Sequence, residues 1–130
     1  MTSPHVSFLF AQTHEWANAN TGEVVAIGIS QHAQEALGDV VFLEPPKLGS
    51  LVKQGEPCAV VESVKAASDI HAPISGTVVE VNSAVLDSPE LLNQDPYSAW
   101  IFKIQAPNAE SLAADLSRLH SLSAYESSLN

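Results

Sequence analysis

The sequence predicts a mainly β protein with short helices (α+β): two similar β units packed as a small two-fold sandwich or flattened barrel, followed by a helical tail. Apolar residues alternate with a period of two over "EVVAIGIS", "GTVVEVN" and "WIFKI", the pattern of half-buried strands. Gly and Pro punctuate the intervals between such runs, marking turns. A third observation is an internal echo. "LGDVVFLE" at 37 to 44 and "SGTVVEVN" at 75 to 82 align Gly38 with Gly76, Val40 with Val78 and Val41 with Val79, a separation of 38 residues. Each copy leads into a turn-rich link, "LVKQGEP" or "LLNQDP", and then an apolar strand. Propeller blades repeat at about 40 residues but need several copies, and only two fit here.

In chain order, "EVVAIGIS" at 23 to 30 places Val25, Ile27 and Ile29 on one face. Ser30 then caps a helix from Gln31 to Leu37, with Ala33, Ala36 and Leu37 at helical spacing and Gly38 as its C-cap. "DVVFLE" is a strand halted by Pro45 and Pro46, because proline removes ladder donors. "LGSLVKQGEP" supplies turns, "CAVVESV" a strand, and "AASDIHAP" the return. "GTVVEVN" puts Thr77, Val79 and Val81 on one face, and "WIFKI" does the same for Trp100, Phe102 and Ile104. Beyond Pro107, Asn108 caps a helix striped by Leu112, Leu116 and Leu119, which needs a surface to cover. Ser123 and Glu126 have capping-box spacing for one last turn, and the final residues are expected to fray.

One domain is expected over residues 1–130, since a chain of 130 residues buries one modest core and is too short for two ordinary ones. Its main body spans about 13–105, with a helical segment over about 108–126. With 45% hydrophobic residues and a formal net charge of -10, the chain is globular, and nonspecific binding to nucleic acid or an anionic membrane is disfavoured, because both need clustered Lys or Arg. Cys58 is the single cysteine, so no internal disulfide forms and a reducing compartment is expected. No apolar run approaches the roughly 20 residues of a membrane span. No Lys or Arg precedes His14, which argues against a signal or transit segment. A cytoplasmic location is expected, or a mitochondrial one where a transit peptide has been removed. The five histidines form no H-E-x-x-H and Cys58 has no cysteine partner, so no metal site is expected. No G-x-S-x-G or phosphate-binding Gly loop is present, and an independent catalytic activity is not expected.

Against 15 Asp and Glu stand only 5 Lys and Arg, and one of these, Lys65, lies between Val64 and Ala66 in "VVESVKAASDI". The echo places it where the first β unit hands over to the second, at or near a hairpin tip. By position alone such a lysine is a solubilising charge. Its apolar neighbours and the small residues Ala66 and Ala67, which leave it unobstructed, point further. A lysine amine can be acylated to a stable amide, which removes its charge and extends a flexible stem. That chemistry makes a swinging attachment arm.

"HEW" at 14 to 16, "GIS" at 28 to 30, "AQEALGDVVFLEPP" at 33 to 46, "AVVESVKAASDIHAPISGTVVEVN" at 59 to 82, "DSPELLNQDPY" at 87 to 97 and "WIFKI" at 100 to 104 closely resemble the H-protein family of the glycine cleavage system. The resemblance covers roughly residues 13 to 105, and "ESVKA" is its most specific piece. It implies a lipoyl-domain-like barrel-sandwich hybrid with lipoate amide-linked to Lys65. It also implies a non-catalytic carrier that shuttles the aminomethyl group of glycine among three partners. These are a pyridoxal-phosphate glycine decarboxylase (the P protein), an aminomethyltransferase using tetrahydrofolate (the T protein) and a flavin-dependent dihydrolipoamide dehydrogenase (the L protein). A lipoyl or octanoyl transferase or a lipoate ligase would attach the cofactor. Successive visits to partners favour transient complexes and a monomer.

By the same resemblance, Thr13, Glu15 and Asp69 match positions lining the cleft for the loaded arm, where carboxylates stabilise a protonated amine. By themselves Glu15 and Asp69 read as solvated charges or caps. Ala36 stands where some members carry histidine, removing one polar contact. Glu62 is either a recognition element for the lipoylating enzyme or an exposed strand residue. Cys58 reads as a small core residue, Trp100 as packing, and Trp16 as packing or a border of the cleft. Biotin carriers are disfavoured because they flank the lysine with methionines. Lipoyl domains of 2-oxoacid dehydrogenase complexes usually have an Asp-Lys-Ala core and lack the "AQEALGD" segment. An H-like noncarrier or lipoate-relay protein is the remaining alternative.

Overall fold

A computed structural model of the chain describes residues 7–19 and 22–129. In chain order its elements are β1 (Leu9–Phe10), β2 (Glu15–Asn18), β3 (Val24–Ile29), α1 (Gln31–Leu37), β4 (Val40–Glu44), β5 (Leu51–Val52), β6 (Pro57–Ser63) and β7 (Ala67–His71). β8 (Gly76–Val81), α2 (Ser83–Asp87), α3 (Leu91–Gln94), β9 (Phe102–Gln105), α4 (Ala109–Leu116), β10 (His120–Ser121) and α5 (Leu122–Ser128) complete it. A seven-stranded antiparallel sheet runs β10-β1-β2-β3-β9-β8-β5, and a three-stranded sheet runs β4-β6-β7. Neither closes on itself, so the fold is an open sandwich and not a sealed barrel. Val25, Ile27 and Ile104 of the larger sheet share one buried core with Val40, Leu43, Val61 and Ile70 of the smaller.

The alternation in β3 buries Val25, Ile27 and Ile29 as the sequence pattern requires. The opposite face of β3 carries Gly28, where an added Cβ would lie 2.3 Å from the Trp16 ring; glycine here lets a buried indole lie flat on the sheet. Ser30 caps α1 by accepting from the Ala33 N–H at 3.1 Å. Gly38 ends the helix at φ +80, in the left-handed region, its N–H bonded to Gln34 O.

The echo has a physical basis: β4 and β8 lie in different sheets, and each carries an irregularity at the same place, between Val40 and Phe42 and between Val78 and Glu80. Val40 and Val78 point inward, while Val41 and Val79 stand exposed. This corrects the sequence expectation for "GTVVEVN": Val79 faces out and Val78 is the core residue, because a bulge breaks the period of two. The "LGSLVKQGEP" turns contain the short edge strand β5; the single-turn helix α2 follows β8 directly, and the "DSPELLNQDP" link after it holds the single-turn helix α3.

The tail is an integral part of the packing. β10 pairs with β1, and Tyr125 of α5 joins Phe8, Phe10 and Trp16 in a second buried cluster. Phe10 stacks on Tyr125 at 4.7 Å and Phe8 on Trp16 at 4.5 Å. Asn108 caps α4 as expected. The cap of α5 is Ser121 and not Ser123, because strand pairing with β1 fixes residue 121 in extended geometry just before the helix. Asn130, the last residue of the expected frayed end, lies outside the described residues.

Candidate functional site

Lys65 occupies the tip of the β6–β7 hairpin. The register carries Glu62 opposite Ala67, and Ser63 closes the turn: its N–H donates to Ala66 O at 2.7 Å, and its hydroxyl accepts from the Lys65 and Ala66 N–H groups at 3.3 and 3.1 Å. A serine turn of this kind substitutes for the absent Asn-Gly signal. Ser63 is itself buried, whereas residues 64 to 69 are exposed. The tip is held from below by the Val64 N–H donating to Asp39 O at 3.1 Å. A Cβ placed on Gly38 would stand 3.6 Å from Lys65 Cε, so the lysine stem runs past the end of α1.

Beside α1 lies a cavity of about 150 Å³. Its walls include Ile29, Ala33, Leu37, Val61 and Ile70, and Thr13, His14, Glu15 and Asp69 also line it. The structure thus brings together the three residues expected to share a cleft. Their environments differ. Asp69 is exposed. Glu15 is 1% exposed: one carboxylate oxygen accepts from the Thr13 hydroxyl, and the other from the His71 backbone N–H at 2.7 Å, with His71 Nδ1 at 3.3 Å. Burial raises the Glu15 pKa above its ordinary value, opposed by these donors. Glu15 therefore ties β2 to the end of β7 while walling the cavity. Ala36 lines the cavity without offering a polar contact.

His14 adds a feature that the sequence did not single out. Its backbone sits at φ +81, its Nδ1 lies 2.7 Å from the Tyr125 hydroxyl, and that hydroxyl lies 2.7 Å from Ser30 Oγ. Burial, and then the neighbouring His32 imidazole, hold its pKa below the usual histidine value. The Cys58 thiol, half-buried with Sγ 3.5 Å from Ile70 O, is pushed by burial and then by Glu15 up to about 12.

Trp16 does not border the cavity; its indole is buried in the aromatic cluster and donates to Pro96 O at 3.1 Å. Glu62 lies outside the cavity lining, half-buried on β6 opposite Phe42 and Ala67. Among the described residues no helix is long and apolar enough to cross a membrane.

A family model described as Glycine cleavage H-protein matches residues 8–129. The chain is 54% identical over 120 residues to the glycine cleavage system H protein 2 of Pseudomonas syringae pv. tomato, covering 92% of this chain and 91% of that relative. It is 49% identical over 120 residues to the glycine cleavage system H protein of Paraburkholderia xenovorans, covering 92% of each. The crystal structure of a glycine cleavage system H protein from Mycobacterium marinum matches with a TM-score of 0.83 at 36% identity, covering 95% of this chain and 96% of that one.

Proposed function

Because the chain belongs to the glycine cleavage H-protein family, we propose that Lys65 is its lipoate attachment residue and that the cavity beside α1 receives the loaded arm. The protein is a lipoyl carrier of the glycine cleavage system and not itself an enzyme. The observation that supports Lys65 is its display at a braced hairpin tip within "ESVKA", its stem directed past α1. Lys103, by contrast, is held by Glu80 at 3.4 Å and stacks over Trp100 at 4.6 Å.

Lipoate, when bound, supplies reach and thiol–disulfide chemistry. The residues of this chain do the rest. Ala33, Ala36 and Leu37 line the cavity on the helix that ends at Gly38, so the walls begin close to the anchor: Ala33 to Gly38 is about 7.5 Å of helical rise. Apolar walls suit a hydrocarbon chain, and the Asp69 carboxylate favours a protonated amine. A closed environment limits water access to a labile one-carbon adduct. The Cys58 thiol, with its pKa near 12, stays protonated and does not compete in thiol–disulfide exchange. The partners proposed are the glycine decarboxylase, the aminomethyltransferase and the dihydrolipoamide dehydrogenase. A lipoyl or octanoyl transferase or a lipoate ligase is the attaching enzyme, with Glu62 a recognition element. A monomer suits such serial visits.

Peptide mass spectrometry after incubation with lipoate and a lipoylating enzyme tests the assignment. Lipoate on the Lys65 peptide, and none on the Lys65→Ala protein, is the expected result. An unmodified Lys65 under conditions that lipoylate a known acceptor overturns it. A reconstituted glycine decarboxylation assay then separates a carrier from a lipoate relay.

A further inference from the structure

Asn93 lies in the link "LLNQDP", which sequence reading treats only as a turn. It is the third residue of α3, a single helical turn anchored in the core by the fully buried Leu92 next to it. Its side chain makes three hydrogen bonds. Oδ1 accepts from the Val40 N–H at 2.9 Å, and Nδ2 donates to Gly38 O at 2.7 Å and to Gln34 Oε1 at 3.0 Å. Gly38 and Val40 are thus gripped by one amide across the junction between α1 and β4. The residue between them, Asp39, offers its carbonyl to the Val64 N–H at 3.1 Å, immediately before Lys65. Val40 is in turn paired with Ser63, whose hydroxyl accepts from the Lys65 N–H. Two short routes therefore run from Asn93 to the hairpin tip, and Gly38 borders the lysine stem itself.

From this arrangement we propose that Asn93 is a positioning residue for the carrier lysine: it fixes the 38–40 segment, and through it the direction in which the Lys65 stem leaves the hairpin relative to the cavity beside α1. The placement of the tip follows from geometry in the unmodified chain, while its consequence for the arm rests on the function proposed above. The chemistry of the amide matters here, because the site needs one acceptor and two donors at once. Asn93→Asp keeps the acceptor for Val40 but turns the donating nitrogen into an oxygen facing Gly38 O and Gln34 Oε1. Asn93→Ala removes all three contacts.

Two readouts test the proposal. In the unmodified full-length chain, amide hydrogen exchange at Val64 should accelerate about tenfold in both variants, while Val25 and Ile104 in the core keep their protection. In the lipoylated and aminomethyl-loaded protein, the lifetime of the adduct should fall severalfold in both variants, while the extent of modification at Lys65 stays that of the parent. Acceleration spread equally over Val64, Val25 and Ile104 would mean general loosening, and unchanged Val64 exchange would mean that Asn93 does not brace the tip; either result overturns the proposal. So does an unchanged adduct lifetime in a variant whose Val64 amide has been freed. Failure of lipoylation in the parent protein would strike the attachment assignment instead, leaving the Val64 result to be judged by itself.

Discussion

Replacing Glu15 separates its two duties, because the structure fixes what each variant removes. The side chain is 1% exposed and accepts from the Thr13 hydroxyl and the His71 N–H. Glu15→Ala removes both hydrogen bonds, leaving the His71 N–H without its partner and the exposed Thr13 hydroxyl to water. Hydrogen bonds to a charged group contribute about 1.5–3 kcal/mol each, so the gross loss is roughly 3–6 kcal/mol. Release of an unfavourably buried carboxylate offsets part of it, leaving a net cost of about 2–4 kcal/mol. Against a typical total of about 5–15 kcal/mol for a domain, that loss is large but survivable. Glu15→Gln preserves shape: its oxygen can accept from the His71 N–H and its nitrogen can donate to Thr13 Oγ, so the cost at neutral pH is within about 1 kcal/mol.

The two proteins differ in how they respond to pH. Burial raises the folded carboxyl above 4.5, so the folded state holds this proton more tightly than the unfolded chain does. The resulting stabilisation is complete below about 4.5 and is lost as pH rises through the raised folded value. Glutamine has no such dependence. Urea denaturation followed by tryptophan fluorescence at a series of pH values should therefore show the parent losing ground to Glu15→Gln across that window and no further change above it. A stability difference that is flat with pH, or that moves towards the parent as pH rises, would refute the claim that burial dominates the environment of Glu15.

Other substitutions read out different parts of the site. Asp69→Ala, at an exposed position, should change stability by less than about 0.5 kcal/mol and leave lipoylation intact, yet shorten the lifetime of the aminomethyl-loaded arm; an unchanged lifetime in a time-course of adduct decay would remove Asp69 from the cleft assignment. The depressed folded pKa of His14 means that its contribution to stability is present above the unfolded value near 6.5 and is lost as pH falls through the folded one. His14→Asn, which tolerates the positive φ, should flatten that acid-side slope in thermal melts. Cys58, with its pKa of about 12, should react with a thiol-labelling reagent at pH 8 on the order of a thousandfold more slowly than an unperturbed cysteine. Labelling at the ordinary rate in the folded protein would show the thiol to be accessible and ionised.

The parts of this architecture that depend on near neighbours were legible. Alternation identified β3, serine and glycine caps bounded α1, and the echo located the hairpin of Lys65 between its two copies, whose strands β4 and β8 share an irregularity at the same place. The face of β8 was misassigned for that same reason: a bulge moves Val78 inward and Val79 outward, and periodicity assumes that no residue is inserted. α2 and α3 span five and four residues, too short to display a helical period and stable only through tertiary contact. β1 and β10 consist of two residues each and find one another across most of the chain, information that no local window contains. Glu15 and Asp69 were brought to the cavity by family resemblance; nothing in "HEW" announces a buried carboxylate. Asn93 was hidden more deeply, since an asparagine in a turn-rich link looks like every other turn residue until its three partners are visible.

A swinging carrier has to combine a fixed origin with a free arm, and the chain divides these tasks between backbone and side chain. Ser63 and Asp39 hold the backbone of the tip through hydrogen bonds to residues 64 to 66, while the side chain of Lys65 projects from an exposed position. On the proposed assignment, charge then sorts the states of the arm. The free ammonium would be penalised by apolar walls such as Leu37 and Ile70. Amide formation removes that charge, taking the formal total from -10 to -11, and so removes the main obstacle to docking. Loading with an aminomethyl group would restore one positive charge, at the far end of the arm, and the Asp69 carboxylate lining the cavity would then supply the opposite charge. The unloaded arm gains nothing from that carboxylate. The cavity should consequently retain the loaded arm and release the unloaded one, and loss of Asp69 should narrow the difference by weakening only the first.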